Sequence, residues 1–177
     1  MYSLNPLLHY RQTRWLPPNN PALPNFPNIR LHYAATNKKL QEQCQSSHAA
    51  GSWKKITPPG DAENIITVGA VTKRGELAPF SSEGNTADGR VKPDVVAVGL
   101  NSDVMGTDGN LRRANGTSFA SPIMCGMVAC LWQACPKLTA KQIIDLVRQS
   151  GDRADFPDNI YGYGIPDLWK AYQSTQR

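Results

Sequence analysis

A serine set between a glycine turn and an apolar helix carries the clearest chemistry in this sequence. Residues 115–122 read Asn-Gly-Thr-Ser-Phe-Ala-Ser-Pro, so Ser118 follows Gly116, which permits a tight turn, and Thr117, which can hydrogen-bond locally. Proline is tolerated in the first turn of a helix, and Pro122 therefore predicts that Ser118 lies at or near a helix start. The free N–H groups and the positive dipole end of that helix would stabilise negative charge on a substrate oxygen beside Ser118, as acyl transfer requires.

A structural role for Ser118 is the alternative. Serine and threonine are favoured at helix starts in general, because a side-chain oxygen there accepts hydrogen bonds from unpaired backbone N–H groups. Whether Ser118 is a nucleophile or only a helix cap has to be decided from the surrounding sequence.

Motifs on both sides of Ser118 follow one another in a defined order. They span residues 55–71, 80–84, 91–99 and 162–167, the last of which contains a Gly-x-Gly turn. Together with the Gly-Thr-Ser-x-Ala-x-Pro run at Ser118, their order and spacing resemble the subtilisin-like serine proteases, the subtilases of peptidase family S8. The resemblance extends over about residues 51–172 and covers only the C-terminal part of that family's catalytic domain.

The resemblance implies a serine-type endopeptidase that hydrolyses peptide bonds through an acyl-enzyme on Ser118. It also implies that the backbone N–H of Ser118 contributes to the oxyanion hole, with Gly116, Thr117 and Pro122 supporting the motif. The implied fold is α/β, a subtilisin-like parallel sheet with helices on both faces, incomplete because the N-terminal half is missing. The implied partner is a peptide or protein substrate, bound if that half is supplied.

The predicted elements agree with such a fold. Residues 65–71 and 94–98 are rich in Val and Ile without polar alternation, which predicts buried strands of a parallel sheet. Residues 118–135 are apolar on all sides, which predicts a buried helix. Thr139 and Gln142 have capping-box spacing for the next helix, and a last helix is predicted with Pro166 near its first position. The predicted packing residues of these two helices are Ile143, Ile144, Val147, Leu168, Trp169 and Tyr172.

The rest of the family's catalytic machinery is missing from this sequence. The family places an Asp, a His and an Asn, in that order, before the Ser. Here His9, His32 and His48 all precede Asp61, the first aspartate, so no Asp-then-His order exists. None of the three histidines lies in a His-Gly-Thr-His-like setting, and each is interpreted as a bystander.

The oxyanion asparagine is absent as well. Where the family has Ala-Gly-Asn, this chain reads Ala50, Gly51 and then Ser52, and Asn115 is too close to Ser118 in the same turn to replace it. A serine hydroxyl is a weak nucleophile without an adjacent base, so the isolated chain is predicted to be inactive. The alternative function is a non-catalytic subtilase-like remnant or an interaction module.

Residues 1–50 differ in composition from residues 51–177. The first segment has six prolines, six asparagines, five Lys or Arg and one acid, Glu42, whereas the second has 14 basic and 13 acidic residues. Frequent proline predicts that the first segment is extended or disordered. We interpret it as an out-of-frame or mis-assembled start, fused near Ala50 to the C-terminal part of a subtilase catalytic domain; a genuine extension is the alternative.

Composition also bears on partners and compartment. The basic residues of the first segment are scattered, which argues against nucleic acid or an acidic membrane as the partner. No signal-peptide pattern follows Met1 and no apolar run is long enough to span a bilayer, so the compartment stays unknown.

The cysteines do not indicate a metal or a cofactor. Three of them, Cys125, Cys130 and Cys135, are five residues apart on the predicted helix, so successive thiols point about 140 degrees apart and cannot share a metal ion. With Cys44 they are interpreted as buried apolar fillers. Calcium occurs in the family, but no loop in this chain matches a calcium site clearly.

Overall fold

A computed structural model describes residues 47–52 and 54–176 of the 177-residue chain. Its centre is a three-stranded parallel sheet in the order β1-β2-β3, formed by β1 (Ser47–Ala49), β2 (Ile66–Val71) and β3 (Val95–Val98). The two strands predicted from sequence are confirmed, each starting one residue later than expected.

The remaining elements follow the sheet in the sequence. An antiparallel hairpin joins β4 (Ser102–Met105) to β5 (Leu111–Ala114). Three helices come next, α1 (Thr117–Ala134), α2 (Ala140–Gln149) and α3 (Leu168–Ser174). The chain therefore has an α/β fold, as the sequence predicts.

Helix α1 lies across the sheet and contacts all three strands. Its buried residues Ala120, Met124 and Leu131 join one apolar core with Val68 of β2 and Val95 of β3. Burial of this apolar surface supplies the main driving force for holding the helix on the sheet. The start of α1 is thereby fixed relative to the strands.

Helices α2 and α3 pack against α1 and against each other. The predicted capping box of α2 is present, since Thr139 N donates to Gln142 Oε1 over 2.8 Å and Gln142 N donates to Thr139 Oγ1 over 3.3 Å. For α3 the prediction of Pro166 near the first helical position is wrong. Asp167 is the N-cap, and its carboxylate accepts from Lys170 N over 3.1 Å, so the helix begins after the carboxylate rather than at the proline.

The sheet face opposite α1 is covered by irregular chain. Ala70 N of β2 donates to Ser81 Oγ over 3.0 Å, and Thr67 N donates to Asp94 Oδ2 over 2.6 Å. A Cβ placed on Gly69 of β2 would lie 3.1 Å from both Pro93 Cγ and Ser81 Oγ, so these loop side chains pack directly on the strand.

A buried ion pair network ties α2 to the sheet. Asp94, which is fully buried, accepts from Lys92 Nζ over 2.7 Å and from Arg148 Nη2 of α2 over 2.6 Å. Burial lowers the pKa of Lys92, and the Asp94 carboxylate opposes that shift. The network places the end of α2 against the start of β3.

The sheet begins before the boundary predicted at residue 50, because β1 starts at Ser47. The prediction that residues 1–50 are extended, disordered or out of frame falls mostly on residues 1–46, which lie outside the described residues. So do His9, His32 and Cys44.

Candidate active site

Ser118 is the second residue of α1 and its side chain is exposed. Gly116 is the N-cap, without a side-chain hydrogen bond to the helix start, and the first turn contains no acidic residue. The first N–H groups of α1 are therefore not taken up by a side-chain cap. They and the helix dipole make the surroundings of Ser118 favourable for a negatively charged oxygen.

Two glycines shape the turn before Ser118. Gly116 has φ 155° and ψ 148°, a conformation that is essentially restricted to glycine. Its N–H donates to Gly99 O over 2.8 Å. A Cβ on Gly99 would lie 2.6 Å from Cβ of Ala70 and 2.7 Å from Gly116 O, so the turn packs directly against the end of the sheet.

Asn115 holds the same turn through its side chain. Its Oδ1 accepts a 2.7 Å hydrogen bond from Asn101 N, which joins the chain before β4 to the chain after β5. The amide of Asn115 is thus engaged in fixing the loop next to Ser118.

Pro122 lies deeper in α1 than the sequence predicts. It is the sixth residue of the helix, inside the second turn, because the helix starts at Thr117. Proline has no N–H, so position 122 cannot donate to the carbonyl of Ser118 four residues earlier. The prediction that Ser118 lies near the helix start is confirmed, although the reasoning from a first-turn proline is wrong.

In the part of the chain that the structure describes, His48 of β1 is the sole histidine. The neighbouring Ser47 Oγ lies 3.2 Å from Ser121 Oγ of α1, so Ser47 faces the helix. Side chains alternate along a strand, and His48 is therefore directed to the opposite face of the sheet. His48 does not serve as the base for Ser118 in this arrangement.

No hydrogen bond to Ser118 Oγ is present within residues 47–52 and 54–176. Gly51 and Ser52 follow β1 at the carboxyl end of the sheet, the end at which Ser118 also lies. Gly51 O accepts from Ser82 N over 3.0 Å. The described residues therefore supply a candidate nucleophile and backbone donors, without a base in contact with the candidate nucleophile.

The cysteines lie on or just after α1. Cys125 and Cys130 are half-buried, whereas Cys135 is buried. Burial raises the pKa of Cys130, which keeps its thiol protonated at neutral pH. Cys135 Sγ lies 3.5 Å from Thr175 Oγ1. Of the three cysteines in the described residues, Cys135 is the one that is buried as fully as the sequence predicts.

The described residues contain no group of three or more His, Cys, Asp and Glu side chains that could hold a metal ion. None of the described helices combines the length and the hydrophobicity needed to cross a membrane.

Sequence reasoning missed the β4–β5 hairpin, which leads directly into the Ser118 turn. Its signal was available in Asp108 and Gly109, because an Asp-Gly pair between two short strands favours a tight hairpin turn. Gly109 has φ 78°, the left-handed conformation that such a turn requires.

Comparison with known proteins identifies the family. The sequence profile of the subtilase family matches residues 29–164, which include Ser118 and the glycine turn before it. The chain belongs to the subtilase family. The matched part of this subtilase begins upstream of residue 50, within the segment whose composition is atypical.

Curated relatives are subtilisin-like proteases. Serine protease AprX of Bacillus subtilis is 33% identical over 131 residues, which cover 62% of this chain and 30% of AprX. Human membrane-bound transcription factor site-1 protease is 38% identical over 131 residues, 67% of this chain and 12% of that protein. This subtilase chain thus spans less than a third of either relative.

A solved structure agrees with the fold. The CspB protease of Clostridium perfringens superposes with a TM-score of 0.61 at 26% identity, and the match covers 67% of the subtilase chain and 28% of CspB. The parallel sheet with α1 across it is therefore the C-terminal part of a subtilisin-like fold.

Proposed function

We propose that this chain supplies the nucleophile of a subtilisin-like serine endopeptidase. The observation that carries the proposal is the position of Ser118, exposed as the second residue of an α-helix that has no side-chain cap. Membership of the subtilase family supports this role, because the family's nucleophile motif contains the same serine. The substrates are peptides or proteins.

The chemistry follows from the geometry of the helix start. Ser118 Oγ attacks the scissile carbonyl, the amine product leaves, and water then hydrolyses the acyl-enzyme. The N–H of Ser118 and the dipole of α1 stabilise the negative charge that develops on the carbonyl oxygen. Gly116 supports this arrangement, because it has no side chain and allows the backbone to turn sharply into the helix.

The isolated chain is expected to be inactive. The base that removes the proton of Ser118 Oγ, the carboxylate that orients that base and the oxyanion asparagine all have to come from the N-terminal half of a subtilase domain. Loss of the histidine alone lowers turnover about a millionfold in subtilisin. Ser52 stands where the family has the asparagine, and a serine hydroxyl at that point does not replace the amide donor.

The edge of the sheet offers a place for this missing half. In the described residues β1 pairs with β2 on one side only, so its other edge presents unpaired backbone N–H and C=O groups. Such an edge pairs readily with a further strand. A segment that adds strands to β1 would bring its own side chains to the carboxyl end of the sheet, next to Ser118.

The experiment is labelling with a fluorophosphonate probe, which reacts with activated serines. The 177-residue chain is expressed alone and together with the part of AprX that precedes the matched region, and association is checked by co-purification. We expect labelling of the complex and little labelling of the chain alone. Peptide-bond hydrolysis by the complex is measured in parallel.

Two serines one turn apart provide matched variants. Ser118→Ala should abolish labelling of the complex, whereas Ser121→Ala should keep it, because Ser121 Oγ is engaged with Ser47 Oγ over 3.2 Å. Labelling that survives in Ser118→Ala would show that the nucleophile is a different residue. Equal labelling of the chain alone and of the complex would contradict the inactivity of the isolated chain.

A further inference from the structure

The β4–β5 hairpin presents an exposed face next to the candidate active site. In its antiparallel register Met105 pairs with Leu111 and Asp103 pairs with Arg113. Side chains two residues apart on a strand share one face, so these four lie together. They are called the hairpin face below.

The hairpin face contains an apolar pair that is open to solvent. Met105 is 67% exposed and Leu111 is 60% exposed. They are directly opposite each other across the two strands, so the exposed apolar surface is continuous rather than scattered. Two adjoining exposed apolar side chains give a small surface on which an apolar side chain of another molecule can pack.

The charges on the hairpin are unevenly compensated. Asp103 Oδ2 accepts from Lys73 Nζ over 2.6 Å, whereas the closest approach of Arg113 to Asp103 is 3.7 Å. On the other face Arg112 is paired with Asp108 over 2.6 Å. One carboxylate thus faces two cations, Lys73 and Arg113, and the more weakly paired cation is Arg113, whose side chain is 72% exposed.

The hairpin face lies within reach of a peptide at Ser118. Arg113 is five residues before Ser118, so their Cα atoms are at most about 18 Å apart. The base of the hairpin is fixed beside the Ser118 turn by the hydrogen bonds of Asn115 to Asn101 and of Gly116 to Gly99. An extended peptide advances about 3.3 Å per residue, so a side chain two to five residues from the scissile bond can reach the hairpin face.

We propose that the hairpin face binds the substrate segment flanking the scissile bond and selects an apolar residue together with an acidic one. The apolar side chain packs on Met105 and Leu111, and the carboxylate pairs with Arg113. The identity of this peptide as a substrate rests on the proposed function of Ser118. Arg113 is then a specificity-determining residue and takes no part in the chemistry.

The test compares peptides that differ in one charge. Peptides with a central leucine carry Glu or Gln at positions two to five on either side. Their binding to the complex of the Ser118→Ala chain with the part of AprX that precedes the matched region is measured by fluorescence anisotropy. At low salt we expect the best Glu peptide to bind about two- to fivefold more tightly than its Gln counterpart, the size of an exposed charge pair. The preference should shrink as salt is added.

Neighbouring arginines provide the matched variants. Arg113→Gln should bring the Glu and Gln peptides to equal affinity, and Arg112→Gln should keep the preference, because Arg112 lies on the other face and is paired with Asp108. Equal affinity for both peptides in the unmodified arginine background would overturn the proposal. The proposal would also be overturned if Arg112→Gln reduced the preference for the Glu peptide as much as Arg113→Gln does.

Two further measurements separate this proposal from its alternatives. Sedimentation of the chain with Met105→Ser and Leu111→Ser reports on self-association, and conversion of an oligomer to a monomer would show that a second copy occupies the hairpin face, against the proposal. The AprX complex that retains Ser118 is assayed for fluorophosphonate labelling and for kcat/KM on the same peptides. If Ser118 is labelled but the Glu and Gln peptides have equal kcat/KM, only the hairpin proposal is overturned. If the Glu peptide is preferred but Ser118 is not labelled, only the proposed function of Ser118 is overturned.

Discussion

A Cβ atom on Gly116 would lie 2.9 Å from Ser118 Oγ. The space over the turn is therefore occupied by the hydroxyl of the candidate nucleophile itself. The backbone of Gly116 adds a second constraint, because its φ of 155° is rarely adopted by any other residue. Gly116 thus turns the chain into α1 and leaves free the space next to the hydroxyl of Ser118.

Gly116→Ala should impair reactivity more than stability. The added methyl group forces Ser118 Oγ to rotate away, and the strained backbone costs about 1–3 kcal/mol. We expect fluorophosphonate labelling of the AprX complex to be lost, while thermal melting still shows a cooperative transition at a lower temperature.

Gly109→Ala is the matched control. Gly109 also has a positive φ, 78°, but nothing lies within 4 Å of a Cβ placed on it. This variant should lose about 1 kcal/mol of stability through the backbone alone and keep its labelling. Similar loss of labelling in both variants would mean that backbone strain, rather than the contact with Ser118 Oγ, determines reactivity.

Asp94→Asn should strongly destabilise the fold. The fully buried carboxylate accepts from Thr67 N, Lys92 Nζ and Arg148, and its removal leaves the buried ammonium group of Lys92 without a counter-ion. Breaking one partner of a buried pair costs about 3–5 kcal/mol, a large part of a typical domain's stability. Urea unfolding followed by circular dichroism measures the loss.

Asp88→Asn serves as the comparison for Asp94→Asn. Asp88 also pairs with an arginine, Arg90, over 2.8 Å, but its side chain is 60% exposed. Its removal at neutral pH should lower the urea midpoint much less than Asp94→Asn does, because solvent screens exposed pairs. Equal shifts in the two variants would mean that burial of the Asp94 network does not determine its contribution.

The sequence predicted those elements whose signal is local. The Val- and Ile-rich runs predicted β2 and β3, and the Thr139–Gln142 spacing predicted the start of α2. It missed β1, whose residues Ser47–Ala49 are polar and small and become a strand only because β2 offers them a partner. It also placed Pro122 one turn too early, because tertiary packing of α1 tolerates a proline that an isolated helix would not.

The candidate site was predictable to a similar extent. Ser118, Gly116 and Thr117 could be found from a short motif, since a helix start is encoded by adjacent residues. The roles of Gly99 and of the hairpin could not, because they depend on contacts between segments that are distant in sequence. Only the folded chain shows that Gly99 contacts Gly116 O and that Arg113 is more weakly paired than Arg112.

Thr139→Ala should destabilise α2. The variant removes the hydroxyl that accepts from Gln142 N and weakens the reciprocal bond from Thr139 N to Gln142 Oε1. Loss of an N-cap costs about 1 kcal/mol. Lys141→Ala in the same turn is the control and should leave the thermal midpoint nearly unchanged, whereas equal shifts would argue against a capping contribution.

Acid titration should reveal the local bonds of Asp88. A hydrogen bond from the Thr86 hydroxyl is the largest cause that lowers the pKa of Asp88, from 3.8 to about 2, and hydrogen bonding to Arg90 adds to it. Since the pKa is lower in the folded state, this carboxylate stabilises the fold above pH 3.8, and the contribution disappears as the pH falls through about 2. Carboxyl chemical shifts in NMR spectra recorded across this range report the midpoint directly. Thr86→Val should raise the pKa of Asp88 toward 3.8 by more than Arg90→Gln does. The reverse order would show that Arg90, rather than the Thr86 hydroxyl, is the main cause of the lowered pKa.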